Sequence, residues 1–156
     1  MRWLLAVLLT TMAFSAWAIP PAPPSAAAPS ALSVDPWIDA QLADLDRYGM
    51  RYRAAFDDEL ARYQDTPRDL IVELRKGGWS DGDLYAACVI ARTAGRPCRV
   101  VADAWSADRF LRWDDVAGRF GVSAGSNALE RMKLAIMATY KRSGRPLATL
   151  RIPLGD

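Results

Sequence analysis

The 156-residue chain contains no histidine. That removes Ser-His-Asp and Cys-His triads, the HExxH zinc motif and any imidazole acid or base. Cysteine is almost as scarce, at two residues, Cys88 and Cys98. Zinc sites made of four cysteines, or of two cysteines and two histidines, are therefore impossible. An EF-hand calcium loop is missing as well. Counted from Asp81, its sixth and twelfth places hold Ala86 and Arg92 instead of Gly and Glu. Ser80 and Ser126 have no base at motif spacing, and no SxxK dyad exists. The formal charge of +2 is too small to imply a nucleic-acid partner. No cofactor and no metal is expected.

What is there reads as a globular chain, with 51% hydrophobic and 24% charged residues. Met1 to Ala18 has one cation, Arg2, an apolar run from Trp3 to Phe14, and a small-x-small end at Ala16-Trp17-Ala18. This is the pattern of a secretory signal peptide, cleaved after Ala18. The run is shorter than the roughly 20 residues of a membrane span, so no span is expected after cleavage. Residue 19 is Ile, not the Cys of a lipoprotein. Residues 19–34 carry five of the ten prolines amid Ala and Ser. Such a stretch favours polyproline II and is expected to be a disordered linker. One folded domain is expected over 35–154, in a bacterial periplasm or fully secreted.

Helical signals fill that domain. Asp35-Pro36 opens a stripe at Ile38, Leu42, Leu45, Tyr52, Phe56, Leu60 and Tyr63, whose one empty slot is Gly49. Gly49 marks a kink or a close approach. Thr66-Pro67 restarts a helix with Leu70, Ile71 and Leu74 inward, and Gly77-Gly78 stops it. Ser80-Asp81-Gly82-Asp83 is a capping box opening Leu84–Ala94, which is apolar nearly all round and so central. Pro97 starts a helix burying Val100, Val101, Ala104 and Trp105. A short one runs from Asp114 to Phe120. Asn127 and Glu130 cap a last one lined by Leu129, Met132, Ile136 and Tyr140. Leu150, Ile152 and Leu154 alternate without a strand partner. The expectation is an all-α, orthogonal bundle of about five or six helices.

Charge is uneven. Residues 35–65 hold 8 acidic and 4 basic side chains, and residues 66–156 hold 10 acidic and 15 basic. Either the halves attract each other, or the basic stretch Arg131–Arg151 meets anionic envelope material.

Several constellations compete for a role. Cys88 and Cys98 are a disulfide candidate, with two small buried thiols as the alternative. Asp57-Asp58-Glu59 and Asp114-Asp115 are carboxylate clusters. A glycosidase needs one protonated and one ionised carboxyl, and Glu59 would be the acid of a peptidoglycan-directed enzyme. Trp113 to Ser123, followed by a basic helix, has the phrasing of a helix-turn-helix, which would serve DNA in a chain that stays in the cytoplasm. Trp79, Tyr85, Arg112 and Trp113 could border a binding groove.

From Pro67 to about Lys141 the order of elements resembles a family of small exported bacterial helical proteins. The matching pieces are Trp79–Tyr85, Gly95-Arg96, Asp115-Val116-Ala117, Phe120-Gly121-Val122 and Ala124-Gly125-Ser126. Arg112-Trp113-Asp114 stands where that pattern has Gly-Trp-Gly, and Ala128-Leu129 follows Ser126 without its Phe-His. The resemblance implies an exported helical fold and carries no activity. A non-enzymatic binding or accessory protein is thus expected, its partner an envelope protein or an anionic envelope polymer.

Overall fold

A computed structural model of the chain describes residues 35–149. The expected leader (1–18), the linker (19–34) and the alternating Leu150, Ile152 and Leu154 lie outside the described residues. Among the described residues the chain is all-helical, with α1 (Pro36–Arg51), α2 (Arg53–Tyr63), α3 (Arg68–Lys76), α4 (Asp81–Ala94), α5 (Cys98–Ser106), α6 (Trp113–Arg119) and α7 (Asn127–Arg142). No helix among them is long and apolar enough to cross a membrane.

Seven helices stand where five or six were expected, because the first stripe is broken at Tyr52, whose φ is −127° and ψ 53°. An unbroken helix over both halves would be about 42 Å long, against a diameter of about 35 Å for a domain of this size. The break is a local kink, since the Tyr52 and Phe56 amides still bond four residues back, and beyond it Phe56 and Leu60 bury in the core that Leu45 already serves. Tyr52 and Tyr63, which continue the stripe on paper, are half exposed.

The caps show why each helix starts where it does. Asp35 accepts hydrogen bonds from the amides of Trp37 (2.9 Å) and Ile38 (3.3 Å), with Pro36 behind it. At α4, Ser80 Oγ accepts from the Asp83 amide (3.0 Å), the first bond of the expected capping box, and donates to Asp83 Oδ2 (2.7 Å), so the shorter Asp meets the Ser80 hydroxyl. Two expected caps move by one residue. The α3 cap is Pro67, not Thr66, whose hydroxyl instead bonds back to the Gln64 carbonyl. The α7 cap is Ser126, not Asn127, with Ser126 Oγ accepting from the Leu129 amide at 3.1 Å.

The centre is α4, buried continuously from Asp81 to Ala91. It packs against α1, α3, α5 and α7. Gly49 and Gly82 let α1 and α4 meet almost backbone to backbone. A Cβ on Gly49 would sit 2.6 Å from the Asp81 Cβ, and one on Gly82 would sit 2.8 Å from the Leu42 carbonyl oxygen. Close approach is therefore the role of Gly49, one turn before the break.

α5 is rotated relative to expectation. Cys98, Val101, Ala102 and Trp105 face inward, while Val100 is 44% exposed. The Cys88–Cys98 bond holds Cys98 against α4, and at 100° per residue that turns position 100 outward.

The uneven charge is resolved inside the fold. Asp35, Asp44, Asp57, Asp58 and Glu59 pair with Lys133, Arg145, Arg75, Arg68 and Arg142 respectively. Acids of the first two helices thus neutralise cations from α3, α7 and the turn beyond it.

Candidate functional site

The four residues expected to border one groove do not share a surface. Trp79, Tyr85 and Trp113 are buried, and only Arg112 of the four is exposed. Trp79 and Trp113 do meet, in a three-indole cluster with Trp105. Ring centroids lie 4.6 Å apart for Trp79–Trp105, 4.9 Å for Trp105–Trp113 and 6.3 Å for Trp79–Trp113. Each such pair adds about 0.5–1.5 kcal/mol beyond area burial. Arg109 covers the cluster, with its guanidinium 4.9 Å from the Trp105 ring centroid. The buried Trp113 Nε1 donates to Asp83 Oδ1 at 3.0 Å. The carboxylate at the start of α4 therefore satisfies an indole that would otherwise be an orphaned donor. Burial pushes the Asp83 carboxyl above its ordinary value. The cluster is a core plug at the crossing of α4, α5 and α6.

Tyr85 lies elsewhere, in a polar chain linking α2, α4 and α7. Its hydroxyl is 2.8 Å from Thr139 Oγ1, and Thr139 Oγ1 donates to Glu59 Oε1 at 2.7 Å. Arg142 closes the chain by donating to both Glu59 oxygens, at 3.1 Å to Oε2, and lies 3.9 Å from the Tyr63 ring centroid. Burial pushes the Tyr85 phenol far above its ordinary value. A cleft of about 250 Å³ opens over this chain. A general acid must present a proton to its substrate. Glu59 instead accepts hydrogen bonds on both oxygens from a guanidinium and a hydroxyl. Asp58 beside it is taken by Arg68.

Cys88 and Cys98 form a disulfide, with Cα atoms 4.5 Å apart. The two residues lie at unequal distances from the turn at Gly95. The bond forms because Pro97 starts α5 beside the middle of α4, at Cys88, and α5 then runs back toward the start of α4, where Trp105 meets Trp79 and Trp113. Beside it lies a groove of about 660 Å³, bounded by the α2–α3 and α4–α5 connections. Volumes of about 300–1,000 Å³ are usual for small-ligand sites. Arg92 from the last turn of α4, Arg96 from the turn and Arg99 from α5 line it, together with Gln64, Asp65 and Asp69. Arg99 is held by Glu73 through two bonds of 2.9 and 2.6 Å, and its guanidinium keeps the Glu73 carboxyl below the usual range. Arg92 and Arg96 are exposed. Both α3 and α5 open on proline without a side chain from the cap residue; at α3 the Leu70 amide donates to Asp69 Oδ1, and at α5 the Val100 amide donates to the Pro97 carbonyl, so the positive end of the α5 dipole is carried by the Cys98 and Arg99 amides. Gln64 is 4% exposed, and its Oε1 accepts no hydrogen bond.

This groove was missed in the sequence. Two signals were there: Pro97, opening a helix with no Ser, Thr, Asp or Asn before it, and arginines at 92, 96 and 99, which the turn of the chain gathers on one side. The helix-turn-helix phrasing does correspond to α6, a turn at Gly121, and α7. However, α7 spends Lys133 and Arg142 on Asp35 and Glu59, and its exposed positions include Leu134 and Met137.

No protein-family model matches the chain, and neither a curated protein nor a solved structure matches it.

Proposed function

We propose that this chain is an exported, non-enzymatic binding protein of a bacterial envelope, acting in the periplasm or outside the cell. The Cys88–Cys98 disulfide carries the reading, because such bonds persist in oxidising compartments and are rare in the cytosol. The leader-like residues 1–18 and the Pro/Ala-rich stretch 19–34 point the same way. So does the resemblance to small exported helical proteins. A binding role draws its support from the groove beside the disulfide, with its exposed arginines and the uncapped start of α5. The partner of the chain as a whole, outside this groove, is an envelope protein or an anionic envelope polymer. The engagement of Glu59 by Arg142 and Thr139 supports a structural role for that carboxylate.

The test is fractionation of cells expressing the full chain, followed by intact-mass measurement. The expected species is extracytoplasmic, begins at Ile19 and is lighter by two hydrogens than its dithiol form. Recovery of the uncut chain in the cytosol, with both thiols alkylatable, would overturn the proposal and reopen α6–α7 as a DNA reader.

A further inference from the structure

We infer that the groove beside the disulfide binds the free carboxylate end of a short peptide. The inference rests on the reading of this chain as a binding protein and supplies the chemistry of its ligand.

The groove offers three kinds of group at once. Its cationic side consists of Arg92, Arg96 and the uncapped start of α5, whose first turn is Cys98–Arg99. A guanidinium matches a carboxylate in two parallel hydrogen bonds, and helix-start amides accept the same negative charge. Its anionic side consists of Asp65 and Asp69. Asp65 is held at φ 54°, a left-handed conformation in which non-glycine residues are uncommon. Between these lies Gln64, nearly fully buried, with a carbonyl oxygen that accepts nothing. A buried acceptor left without a donor is costly, and a ligand N–H removes that cost.

These features together select among ligands. Inorganic phosphate has no N–H to offer Gln64 and carries more negative charge than a wall with two aspartates favours. A polyanionic chain is repelled by the same aspartates. An ammonium compound leaves Arg92 and Arg96 unmatched. A short peptide with free ends presents all three complements: a carboxylate for Arg92, Arg96 and the α5 amides, an amide N–H for Gln64, and an ammonium for Asp65 or Asp69. The volume of about 660 Å³ suits a few residues and not a folded partner. Cys98 lines the groove and its bond to Cys88 pins the start of α5 to α4. The disulfide therefore positions the amides that meet the carboxylate.

The test uses the oxidised chain from Ile19 onward, immobilised and offered two tripeptide libraries, one with free C-termini and one C-amidated. Retained peptides are read by mass spectrometry and their affinities by titration calorimetry. Free acids are expected to be retained at least tenfold better than amides. Arg92→Gln and Arg96→Gln should each weaken binding about tenfold, while Arg131→Gln and Lys141→Gln on α7 leave it unchanged. Both groove arginines are exposed, so the variants should melt with the parent protein. Equal retention of the two libraries, retention of neither, or binding that survives the double Arg92→Gln/Arg96→Gln change would overturn the inference. Inorganic phosphate competing as well as the free acids would do so too. An exported, oxidised chain that retains no peptide acid sinks this assignment and leaves the export reading standing; a cytosolic dithiol chain sinks the export reading.

Discussion

Breaking the Cys88–Cys98 bond should lower the melting temperature by about 11 °C. The bond closes a loop whose ends are ten positions apart. Chain entropy removed from the unfolded state by such a loop amounts to about 2.7 kcal/mol at 25 °C. Unfolding entropy for about 115 residues comes to roughly 0.24 kcal/mol per degree. The quotient gives the shift. Both cysteines are buried, so a reductant reaches the bond slowly from the native state. The protein is therefore reduced in mild denaturant, refolded with reductant, and melted by circular dichroism beside the oxidised form. The Cys88→Ala/Cys98→Ala variant is melted alongside, and it should lie slightly below the reduced protein because it also loses two buried sulfurs. Coincident melts of the oxidised and reduced forms would refute the entropic argument. Two titratable thiols in the unreduced protein would refute the bond itself. A loss confined to the variant would place the effect in packing around α4 and α5.

Other perturbations test other parts of the structure. Gly49→Ala and Gly82→Ala should each cost about 1–3 kcal/mol by denaturant unfolding, because the added methyl meets Asp81 or the Leu42 backbone within contact distance; wild-type stability in either would show that α1 and α4 do not approach as described. Burial raises the Asp83 carboxyl above 3.8, despite the Ser80 and Trp113 hydrogen bonds and the field of Arg109, and Asp46 adds to the rise. A carboxyl so raised holds its proton more tightly in the folded chain, so its contribution is full below 3.8 and is lost as pH rises through the folded value. Asp35, Asp58 and Glu73 are lowered and act in the opposite sense in any variant. Asp83→Asn should therefore make stability climb more steeply, or fall less, than in the parent as pH rises above 3.8; parallel profiles would count against it. Glu59→Gln should destabilise the protein by about 1–3 kcal/mol, because Arg142 loses its charged partner in a half-buried site. Purified peptidoglycan should release no soluble fragments with either form. Release by the parent that Glu59→Gln abolishes would revive the glycosidase.

Much of the helical order was legible in the chain because its causes are local. A cap and its amide lie three residues apart, as at Ser80 and Asp83, and an apolar stripe repeats within a turn. The central place of α4 followed from a run with no polar face. The break at Tyr52 was legible only as the kink or close approach offered at Gly49, one turn earlier, since no proline or cap marks Tyr52 itself. Tryptophans next to turns read as rims of a groove, yet both turn inward onto Trp105, Trp113 stacked on its ring and Trp79 edge-on to it. The three rings come from the α3–α4 connection, α5 and α6, a meeting which no local pattern can name.

The amino-acid order alone settled the helical class, most helix starts and stops, and the chemistries excluded by a chain without histidine. Those follow from residue type and from spacings of three or four. Which cation meets which anion, whether two cysteines lie close enough to bond, and where arginines stay exposed were decided by packing. Glu59 and Arg142 stand 83 positions apart and Asp44 and Arg145 stand 101 apart. Only when α2 and α7 are laid across α4 does the uneven charge of the two halves become a set of pairs. The same crossing leaves Arg92 and Arg96 exposed beside the start of α5.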